Sequence, residues 1–419
     1  MSKYPFKNIA MISTHGYFDP VPKLGRTDTG GQVVYVLELA KAIARQGIRV
    51  DIFTRWFDKA QQQLDPVPGN PGVSVIRIHS GEWEFIPKEL IYDSLPELSA
   101  NMLKFIKENN IDYDLFHGHY VDAGIVTLDV SEELKKSAFF TAHSLGAWKR
   151  DQMGGDTAEM EKKFNFKHRI AEEMRIFKSV CGQTLTSEVQ KEKLNSLYNY
   201  DAENIRIIPP GVDIHRFKMP AEDDKKIKTN LPEKYIFCLS RIDTNKGHDL
   251  LLKAFALVKE QCNDVHLVIG GGSLNPIPRE QEVFENMRRI CKEENLDDRV
   301  HFIGYVADEI MVPYYQQALL FVLPSLFEPF GMTTQEAMAC GMPVIASKYG
   351  GIQNVITHGK DGMLVDSENQ EEFADIIIEL LNDEKLRKSM GQAAGNLIRR
   401  QYSWEAIADR FLDFYCEYI

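Results

Sequence analysis

The stretch from Leu320 to Ser347 constrains the fold of this chain more than any other. An apolar run over 320–324 predicts a buried strand, and a proline and a glycine break regular structure shortly after it. A helix is predicted over Thr333–Cys340, followed by a second strand over 344–346. This order makes a βαβ unit, and ligands bind at the carboxyl end of the first strand in such units. The stretch therefore predicts a parallel α/β sheet with a site at its edge.

Two carboxylates mark the unit, Glu328 in the turn and Glu336 on the helix, with seven residues between them. The amides of Met332 and Thr333 open the helix, where a phosphate is favoured. Carboxylates accept hydrogen bonds from hydroxyl groups, so the pair would suit a sugar on one side and a ribose on the other. Spacing alone fits two surface glutamates in an ordinary turn equally well.

The whole phrase resembles the E-x7-E element of retaining GT-B glycosyltransferases. The residues that match the family's pattern are Glu328, Pro329, Phe330, Gly331, Glu336, Ala337, Gly341, Pro343 and Val344. Further segments are similar to the group that includes sucrose-phosphate synthase and mannosylfructose-phosphate synthase, and they read THGYFDP, DTGGQVVYVLELA, HSLGAWK, FNFKHRI, TNKGHDLL, GYVADE and FEPFGMT. The resemblance thus covers nearly the whole chain.

The resemblance implies a GT-B fold, in which two Rossmann-like domains face each other across a cleft. We expect an acceptor-binding domain over 1–212 and a nucleotide-sugar-binding domain over 213–400. The proline and glycine residues near 209–213 are typical of a hinge. The amphipathic segment over 401–419 is expected to be a helix that packs back on the first domain.

Composition limits the partners and the compartment. The chain has 419 residues, is 44% hydrophobic and carries a net charge of −12, which disfavours nonspecific binding to nucleic acid. Its six cysteines form no C-x-x-C pair, as is typical of reduced thiols. A signal peptide and a membrane-spanning run are not visible, so we expect a cytoplasmic protein without stable membrane insertion. The sequence carries no sign of an oligomeric state.

In the first half, a polar loop over Gly16–Thr29 precedes a helix that opens with Gly30 and Gly31. A glycine pair alone favours a helix-entry turn, but glycine also lets the backbone approach a bulky anion. The resemblance implies that Gly30 and Gly31 bind the donor and that Gln32 binds the acceptor. Asp122, at the start of a later helix, resembles a family position near the acceptor.

His143 follows a predicted strand over 138–142. A histidine there fits core hydrogen bonding as well as substrate contact, and the resemblance implies contact with the transferred sugar. Ser144 and Lys149 would then face the acceptor. His117 and His119, on the strand over 114–120, are interpreted as packing residues.

A helix predicted over Glu161–Phe177 carries several basic residues. Such a face is compatible with plain solvation, with docking on an anionic membrane, or with a phosphate pocket. If the face forms a phosphate pocket, Lys149, Lys167 and Arg169 converge on a phosphate of the acceptor. Asp112 and Asp114 form a literal D-x-D, but it precedes its strand, so we interpret it as a turn. We expect no metal and no cofactor besides the nucleotide-sugar co-substrate.

In the second half, Arg241 and Lys246 flank one strand-to-helix turn. Cations at a helix start are mildly unfavourable, which indicates a bound anion, and family members place this pair on the donor diphosphate. Gly271 lies in a glycine triplet that lets the backbone approach a ligand. Val306 resembles the segment whose backbone holds the nucleotide base. Together with Gly331, these residues complete the predicted donor site.

The resemblance implies a retaining, metal-independent hexosyltransferase with His143, Arg241, Lys246 and Glu328 as its catalytic residues. The donor would be GDP-mannose or UDP-glucose, with ADP-glucose not distinguished. The acceptor would be a phosphorylated sugar such as fructose 6-phosphate, giving mannosylfructose-phosphate or sucrose-phosphate. Alternatives are a glycerate or glucosylglycerate acceptor, a membrane lipid, and a non-catalytic nucleotide-sugar-binding protein. A Rossmann dehydrogenase is disfavoured because no G-x-G-x-x-G follows the first strand.

Overall fold

A computed structural model describes residues 3–22, 30–221, 229–273, 276, 278–326, 328 and 330–419. The chain divides into two compact units. Unit 1 comprises Met1–Gly211 and Trp404–Ile419, and unit 2 comprises Val212–Ser403. Residues 23–29 of the predicted polar loop and Pro329 of the E-x7-E phrase lie outside the described residues.

The strands are short and rich in branched or aromatic residues, as expected for strands covered on both faces. They are β1 Asn8–Ile12, β2 Arg49–Trp56, β3 Leu64–Pro66, β4 Val73–His79, β5 Leu115–His119, β6 Ser137–Thr141, β7 Gly182–Leu185, β8 Ile205–Ile207, β9 Tyr235–Leu239, β10 His266–Gly270, β11 Val300–Gly304, β12 Leu320–Leu323, β13 Val344–Ser347 and β14 Met363–Val365.

The α-helices are α1 Gly31–Arg45, α2 Leu95–Glu108, α3 Val121–Leu134, α4 Gly146–Gln152, α5 Ala158–Phe164, α6 Phe166–Ser179, α7 Glu188–Tyr198, α8 His248–Gln261, α9 Pro278–Glu293, α10 Asp308–Gln317, α11 Met332–Ala339, α12 Gln370–Asn382, α13 Glu384–Leu397 and α14 Trp404–Cys416. Short 3₁₀ segments cover Ile91–Ser94, Thr244–Lys246 and Gly351–Asn354, and a π-helical turn covers Ile398–Tyr402.

Unit 1 is built on one eight-stranded sheet in the order β3-β4-β2-β1-β5-β6-β7-β8. All neighbouring strands are parallel except β3, which pairs with β4 in antiparallel fashion. The chain moves outward from β1 through β2 to β4 and then returns to place β5 on the other side of β1. The strand order therefore reverses between β1 and β5, and a crevice opens at the carboxyl ends of such neighbours.

The last helix, α14, belongs to unit 1 although it is the end of the chain. Its apolar side chains, among them Ile407, Phe411 and Tyr415, share one core with Val36 and Ile43 of α1. Burial of this stripe removes a large apolar area from water, which is the main force that holds the helix on the unit.

Unit 2 is built on a six-stranded, fully parallel sheet in the order β11-β10-β9-β12-β13-β14. The order reverses between β9 and β12, so this unit also has a crevice at the carboxyl ends of two neighbouring strands. The predicted helix over 333–340 is α11, which begins and ends one residue earlier.

The single helix predicted over 161–177 is wrong, because the chain forms two helices there, α5 and α6. Asn165 ends the first and precedes the second with a left-handed backbone, φ 51°. Asparagine tolerates this conformation better than most residues, so it separates two helices without interrupting the polar pattern of the sequence.

Candidate active site

An ion pair joins the two loops that flank the crevice of unit 2. Lys246, in the 3₁₀ turn after β9, lies 2.5 Å from the carboxylate of Glu328, in the loop after β12. The two side chains are 6% and 19% exposed. The loops are also joined by their backbones, since the Leu326 amide donates to the carbonyl of Asn245 over 3.0 Å. The fold thus places these two predicted site residues together, although 81 residues separate them in the sequence.

Arg241 lies on the same turn, but its side chain is exposed. Among the described residues it forms no ion pair with an acidic side chain, in contrast to Lys246. The turn therefore offers one exposed cation and one cation that is held in place by a carboxylate.

The glycine triplet brings its backbone very close to the turn that carries Arg241. Gly271 has φ 126°, and a Cβ at this position would lie 1.7 Å from the carbonyl oxygen of Ser240. The Gly271 amide donates to the carbonyl of Gly304 over 2.8 Å. Only glycine fits here, and it keeps the loops after β9, β10 and β11 in contact. Val306 lies in the last of these loops and is buried.

The first turn of α11 contains no acidic residue. Gly331 precedes the helix with φ 80°, and Met332 and Thr333 are its first two residues. The amide groups of a first helical turn have no partner within the helix, so this end can bind an anion. Glu328 is tied to the neighbouring loop as well, because its carbonyl accepts from the Gly351 amide over 2.9 Å.

Glu336 lies one turn further along α11 and accepts a hydrogen bond from the hydroxyl of Tyr315 over 3.0 Å. Burial outweighs the hydrogen bond from Tyr315 and raises the pKa of its carboxyl group to about 7. A carboxyl group with this pKa is present in both protonation states near neutral pH.

In unit 1, Asp122 closes the crevice between β1 and β5. Its buried carboxylate accepts from the hydroxyl of Thr14 and contacts Nδ1 of His15 at 2.8 Å, and both of these residues follow β1. Burial alone would raise the pKa of Asp122, but His15 and the hydrogen bonds hold it below its usual value. The carboxylate predicted to bind the acceptor is therefore already engaged by the protein.

Gln32 ties α1 to the same crevice. Its side-chain amide donates to the hydroxyl of Ser13 and to the carbonyl of His119, each over 3.2 Å. Gly30 precedes α1 in an extended conformation and Gly31 is the first helical residue. The predicted residues at this helix start therefore lie next to the carboxyl ends of β1 and β5.

His143 follows β6 with a left-handed backbone, φ 56°, which costs a non-glycine residue about 1 kcal/mol or more. Its Nε2 lies 3.0 Å from Nδ1 of His119, and the ring of Tyr35 packs edge-on against it at 4.8 Å. Burial and, to a smaller extent, nearby His15 lower the pKa of His143 to about 3. The imidazole is therefore neutral at physiological pH and is held from two sides.

Arg169 of α6 is buried and forms an ion pair with Glu173, 2.8 Å away on the same helix. Its guanidinium also donates to the carbonyl and the hydroxyl of Ser144, over 2.9 and 3.0 Å. Glu173 accepts in turn from the hydroxyl of Tyr198 and from the Gly146 amide. Burial alone would lower the pKa of Arg169, but Glu173 outweighs it and the pKa is raised. The arginine is a permanent cation fixed beside the loop of His143.

Three cationic side chains line a small pocket of unit 1. It is lined by Lys88, Glu89, Tyr92, Tyr120, Lys149, Phe164, Phe166 and Arg169. Arg169 and Lys149, two of the three cations predicted to converge, thus face one pocket. Lys167 is exposed and does not line it.

Four functional candidates escaped the sequence analysis. Lys88 precedes α2, far in sequence from the other two cations of the pocket, and no local motif marks it. Glu173 and Tyr198, which orient Arg169, are equally unmarked. His15 belongs to the conspicuous segment THGY, so its position after the first strand could have indicated it.

The D-x-D is part of the framework. Asp114 accepts from the amides of Lys7 and Asn8, and Asp112 pairs with Lys136 over 2.7 Å. These contacts fit the interpretation as a turn. Within the described part of the chain, His, Cys, Asp and Glu side chains form no group of three or more that could hold a metal ion.

Each unit thus has an α/β sheet with ionic groups at the point where its strand order reverses, and this is where ligands bind in proteins built from such sheets. Two family models match this chain in succession. Residues 29–216 match Glycosyltransferase Family 4, and residues 220–397 match Glycosyl transferases group 1.

Relatives match over almost the whole length. Mannosylfructose-phosphate synthase from Agrobacterium fabrum is 38% identical over 419 residues, which cover 98% of this chain and 91% of the relative. A D-inositol 3-phosphate glycosyltransferase from Corynebacterium efficiens is 31% identical, covering 98% of this chain and 95% of the relative.

Solved structures share the fold. Sucrose-phosphate synthase from Thermosynechococcus elongatus has a TM-score of 0.80 at 29% identity, with 98% of both chains covered. HepE from Anabaena, solved with UDP and glucose, has a TM-score of 0.70 at 20% identity, with 98% of this chain and 99% of the other covered.

The chain belongs to the GT-B glycosyltransferases. This confirms the fold class and the family predicted from the E-x7-E phrase, and the similarities support a hexosyltransferase that uses a nucleotide sugar. In the described part of the chain, helices long and apolar enough to cross a membrane are absent.

Proposed function

We propose that this protein transfers a hexosyl unit, mannose or glucose, from GDP-mannose or UDP-glucose to a small phosphorylated sugar. Fructose 6-phosphate is the proposed acceptor, which would give mannosylfructose-phosphate or sucrose-phosphate. The transfer retains the anomeric configuration and requires no metal ion and no cofactor besides the nucleotide sugar. The proposed location is the cytoplasm, and a role in making a compatible solute would follow from the product.

The contact between Lys246 and Glu328 carries the donor half of this proposal. A diphosphate that leaves the sugar gains negative charge, and preorganised cations stabilise that charge where it develops. Lys246 and Arg241 supply two cations at one turn, and the amides of Met332 and Thr333 add a helix start. Glu328 both orients Lys246 and offers a carboxylate to the hydroxyls of the sugar.

Four further residues of unit 2 belong to the proposed donor site. Glu336 accepts hydrogen bonds from the ribose, and the backbone at Gly271 and Val306 contacts the base and the phosphates. Gly331 adopts the left-handed backbone conformation that precedes the first residue of α11. Gly30 and Gly31 of unit 1 would approach the diphosphate with their backbones.

Two of the cations predicted from the sequence, Lys149 and Arg169, and a third, Lys88, support a phosphorylated acceptor. Lys88, Lys149 and Arg169 line one pocket with a single carboxylate, Glu89, and an excess of cations of this kind favours a phosphate. Tyr92 and Tyr120 also line this pocket, and Arg169 donates a hydrogen bond to the hydroxyl of Ser144. Gln32 and Asp122 would orient the sugar part of the acceptor, Asp122 chiefly by fixing His15.

The proposed chemistry proceeds through an oxocarbenium-like state of the transferred sugar. The bond from the anomeric carbon to the diphosphate oxygen breaks, and the acceptor hydroxyl oxygen bonds to that carbon on the same face. The proton of the hydroxyl passes to the leaving phosphate oxygen. His143, neutral and fixed, contacts the sugar instead of removing that proton.

A direct assay tests this proposal. The purified protein is incubated with fructose 6-phosphate and, separately, GDP-mannose, UDP-glucose or ADP-glucose, with and without EDTA. We expect one donor to give a sugar phosphate whose anomeric configuration, read by NMR, matches that of the donor. Absence of transfer with all donors, inversion, or loss of activity in EDTA would each contradict part of the proposal.

A second acceptor class follows from the 31% identity to a D-inositol 3-phosphate glycosyltransferase. The same three cations would accept inositol 3-phosphate or 3-phosphoglycerate, so both belong in the assay beside glucosylglycerate. Anionic liposomes with a lipid acceptor test the membrane alternative. Binding of a nucleotide sugar without any transfer would favour the alternative of a non-catalytic nucleotide-sugar-binding protein.

A further inference from the structure

The neighbours of His143 determine which of its two ring nitrogens carries the proton. Its Nε2 lies 3.0 Å from Nδ1 of His119, and this is a single hydrogen bond, in which one ring donates and the other accepts. With one proton between these two nitrogens, each ring carries one N–H group in total, and both rings are neutral. Nδ1 of His143 makes no hydrogen bond to a described residue, so it is the nitrogen left for a ligand.

The environment of His119 decides the direction of that hydrogen bond. Its other nitrogen, Nε2, is buried without a hydrogen-bond partner among the described residues. The ring is stacked on His117, with centroids 4.3 Å apart and planes 20° apart, so it cannot turn towards another group. His117 itself is occupied by Tyr415 and Thr141.

Two tautomers of the pair are possible, and they are not equally costly. If His143 donated, Nε2 of His119 would hold a buried N–H group without a partner. If His119 donates, the same Nε2 holds only an unshared electron pair. Orphaned N–H groups are rarer in proteins than under-satisfied acceptors, so the second arrangement is favoured.

We propose that His119 is a positioning residue that fixes His143 in the tautomer with its proton on Nδ1. His143 then presents an N–H donor to a hydroxyl group of the transferred sugar and has no free lone pair with which to remove a proton. This rests on the proposed function, because it assigns the sugar contact to His143. It adds the direction of the hydrogen bond and the residue that sets it.

The packing around the pair fits this role. His143 has a left-handed backbone, which persists only where surrounding contacts hold it. Tyr35 packs edge-on against its ring at 4.8 Å, and Tyr35 in turn contacts Trp404 at 5.3 Å. The ring therefore has one orientation, in which Nε2 faces His119.

Nitrogen NMR reads the tautomer directly. Wild-type protein labelled with ¹⁵N-histidine gives long-range correlations that distinguish a protonated from an unprotonated ring nitrogen, and the spectrum of His143→Gln identifies the signals of His143. We expect the proton of His143 on Nδ1. A proton on Nε2 would overturn the proposal. This measurement needs no substrate, so it stands even if the assay shows no transfer and the proposed function fails.

Two substitutions of His119 test the consequence for the reaction. In His119→Asn the amide N–H replaces the Nδ1 donor, and in His119→Leu the donor is lost. We expect kcat of His119→Asn within about threefold of wild type and kcat of His119→Leu reduced by about tenfold or more, since a misaligned contact costs rate. Equal kcat values in both variants would overturn the proposal.

A matched control comes from unit 2. His266 and His301 form a similar pair, with Nδ1 and Nε2 2.9 Å apart, outside the site. His301→Leu removes one partner of a His–His hydrogen bond and should leave kcat unchanged. The NMR tautomer of His143 separates positioning from mere stability, because it should remain fixed in His119→Asn and become mixed in His119→Leu. A fixed tautomer in both variants would contradict the role of His119.

Discussion

At the scale of single residues, the donor half of the site depends on Lys246. We expect Lys246→Met to lower kcat by about 10²–10³-fold, because one preorganised charge partner of the leaving group is lost. Steady-state kinetics with the preferred donor measures this, and a thermal melt verifies that the variant is folded. Lys388→Ala, at a side chain that is 77% exposed, is the control. Turnover of the Met variant at the wild-type rate would remove Lys246 from the diphosphate site.

The acceptor half permits a comparison among lysines. Lys88→Ala and Lys149→Ala should raise KM for fructose 6-phosphate by about 10–100-fold, because a charge-assisted hydrogen bond contributes about 1.5–3 kcal/mol. KM for unphosphorylated fructose should change little. Lys167→Ala is the matched control, since Lys167 lies outside the pocket. A similar rise for both acceptors, or a rise in the Lys167 variant, would contradict the phosphate pocket.

These residues also show what a sequence can reveal. Glu328 and Glu336 belong to one local phrase, so their spacing and neighbours were visible without a structure. Lys88 was not, because it reaches Lys149 and Arg169 only through the tertiary fold. The pairing of Arg169 with Glu173 was equally hidden, since an i to i+4 pair on a helix is most often a solvated surface contact.

At the scale of elements, the break between α5 and α6 controls where Arg169 sits. Asn165→Gly should leave the free energy of unfolding within a few tenths of a kcal/mol, whereas Asn165→Ala should lower it by about 1 kcal/mol, because alanine disfavours the left-handed conformation. Urea unfolding of the two variants measures the difference. Equal stability of the two would show that the break does not depend on this backbone conformation.

The break also explains why the sequence misled at this point. Lys162, Lys163 and Lys167 continue one polar pattern across Asn165, so periodicity predicts a single helix. The left-handed residue shows no signature in the pattern of apolar and polar residues. By contrast, the strand and helix of the E-x7-E phrase end at glycine or proline, and those boundaries were predicted to within one residue.

At the scale of the whole molecule, pH should change the stability of the two units in opposite directions, because each unit contains buried groups with shifted pKa values. Unit 1 holds His117, His119 and His143, and burial lowers the pKa of each. A histidine whose pKa is lowered in the folded state gains a proton when the protein unfolds in acid. Their contribution to stability is therefore complete above about pH 6.5 and falls as the pH drops below it.

Tryptophan fluorescence follows unit 1 selectively, because all four tryptophans, at 56, 83, 148 and 404, lie in it. We expect the urea midpoint of the fluorescence transition to fall steadily from pH 7 to pH 5. Potentiometric measurement should show protons taken up on unfolding at pH 5.5. A midpoint independent of pH in this range would show that the histidines are not buried in neutral form.

Unit 2 should respond in the opposite direction through Glu336. Its pKa is about 7 in the fold and about 4.5 when unfolded, so between these values the folded state binds more protons than the unfolded state. The contribution of this group to stability therefore decreases as the pH rises from 4.5 to 7. Glu336→Gln keeps an uncharged polar group beside Tyr315 and should raise the melting temperature of unit 2 more at pH 8 than at pH 5. Circular dichroism measures that melt, and Glu371→Gln, exposed on α12, is the control. An equal shift at both pH values would mean that Glu336 is already ionised at pH 5. Its carboxylate would then accept the proposed hydrogen bond from the ribose equally well across this pH range.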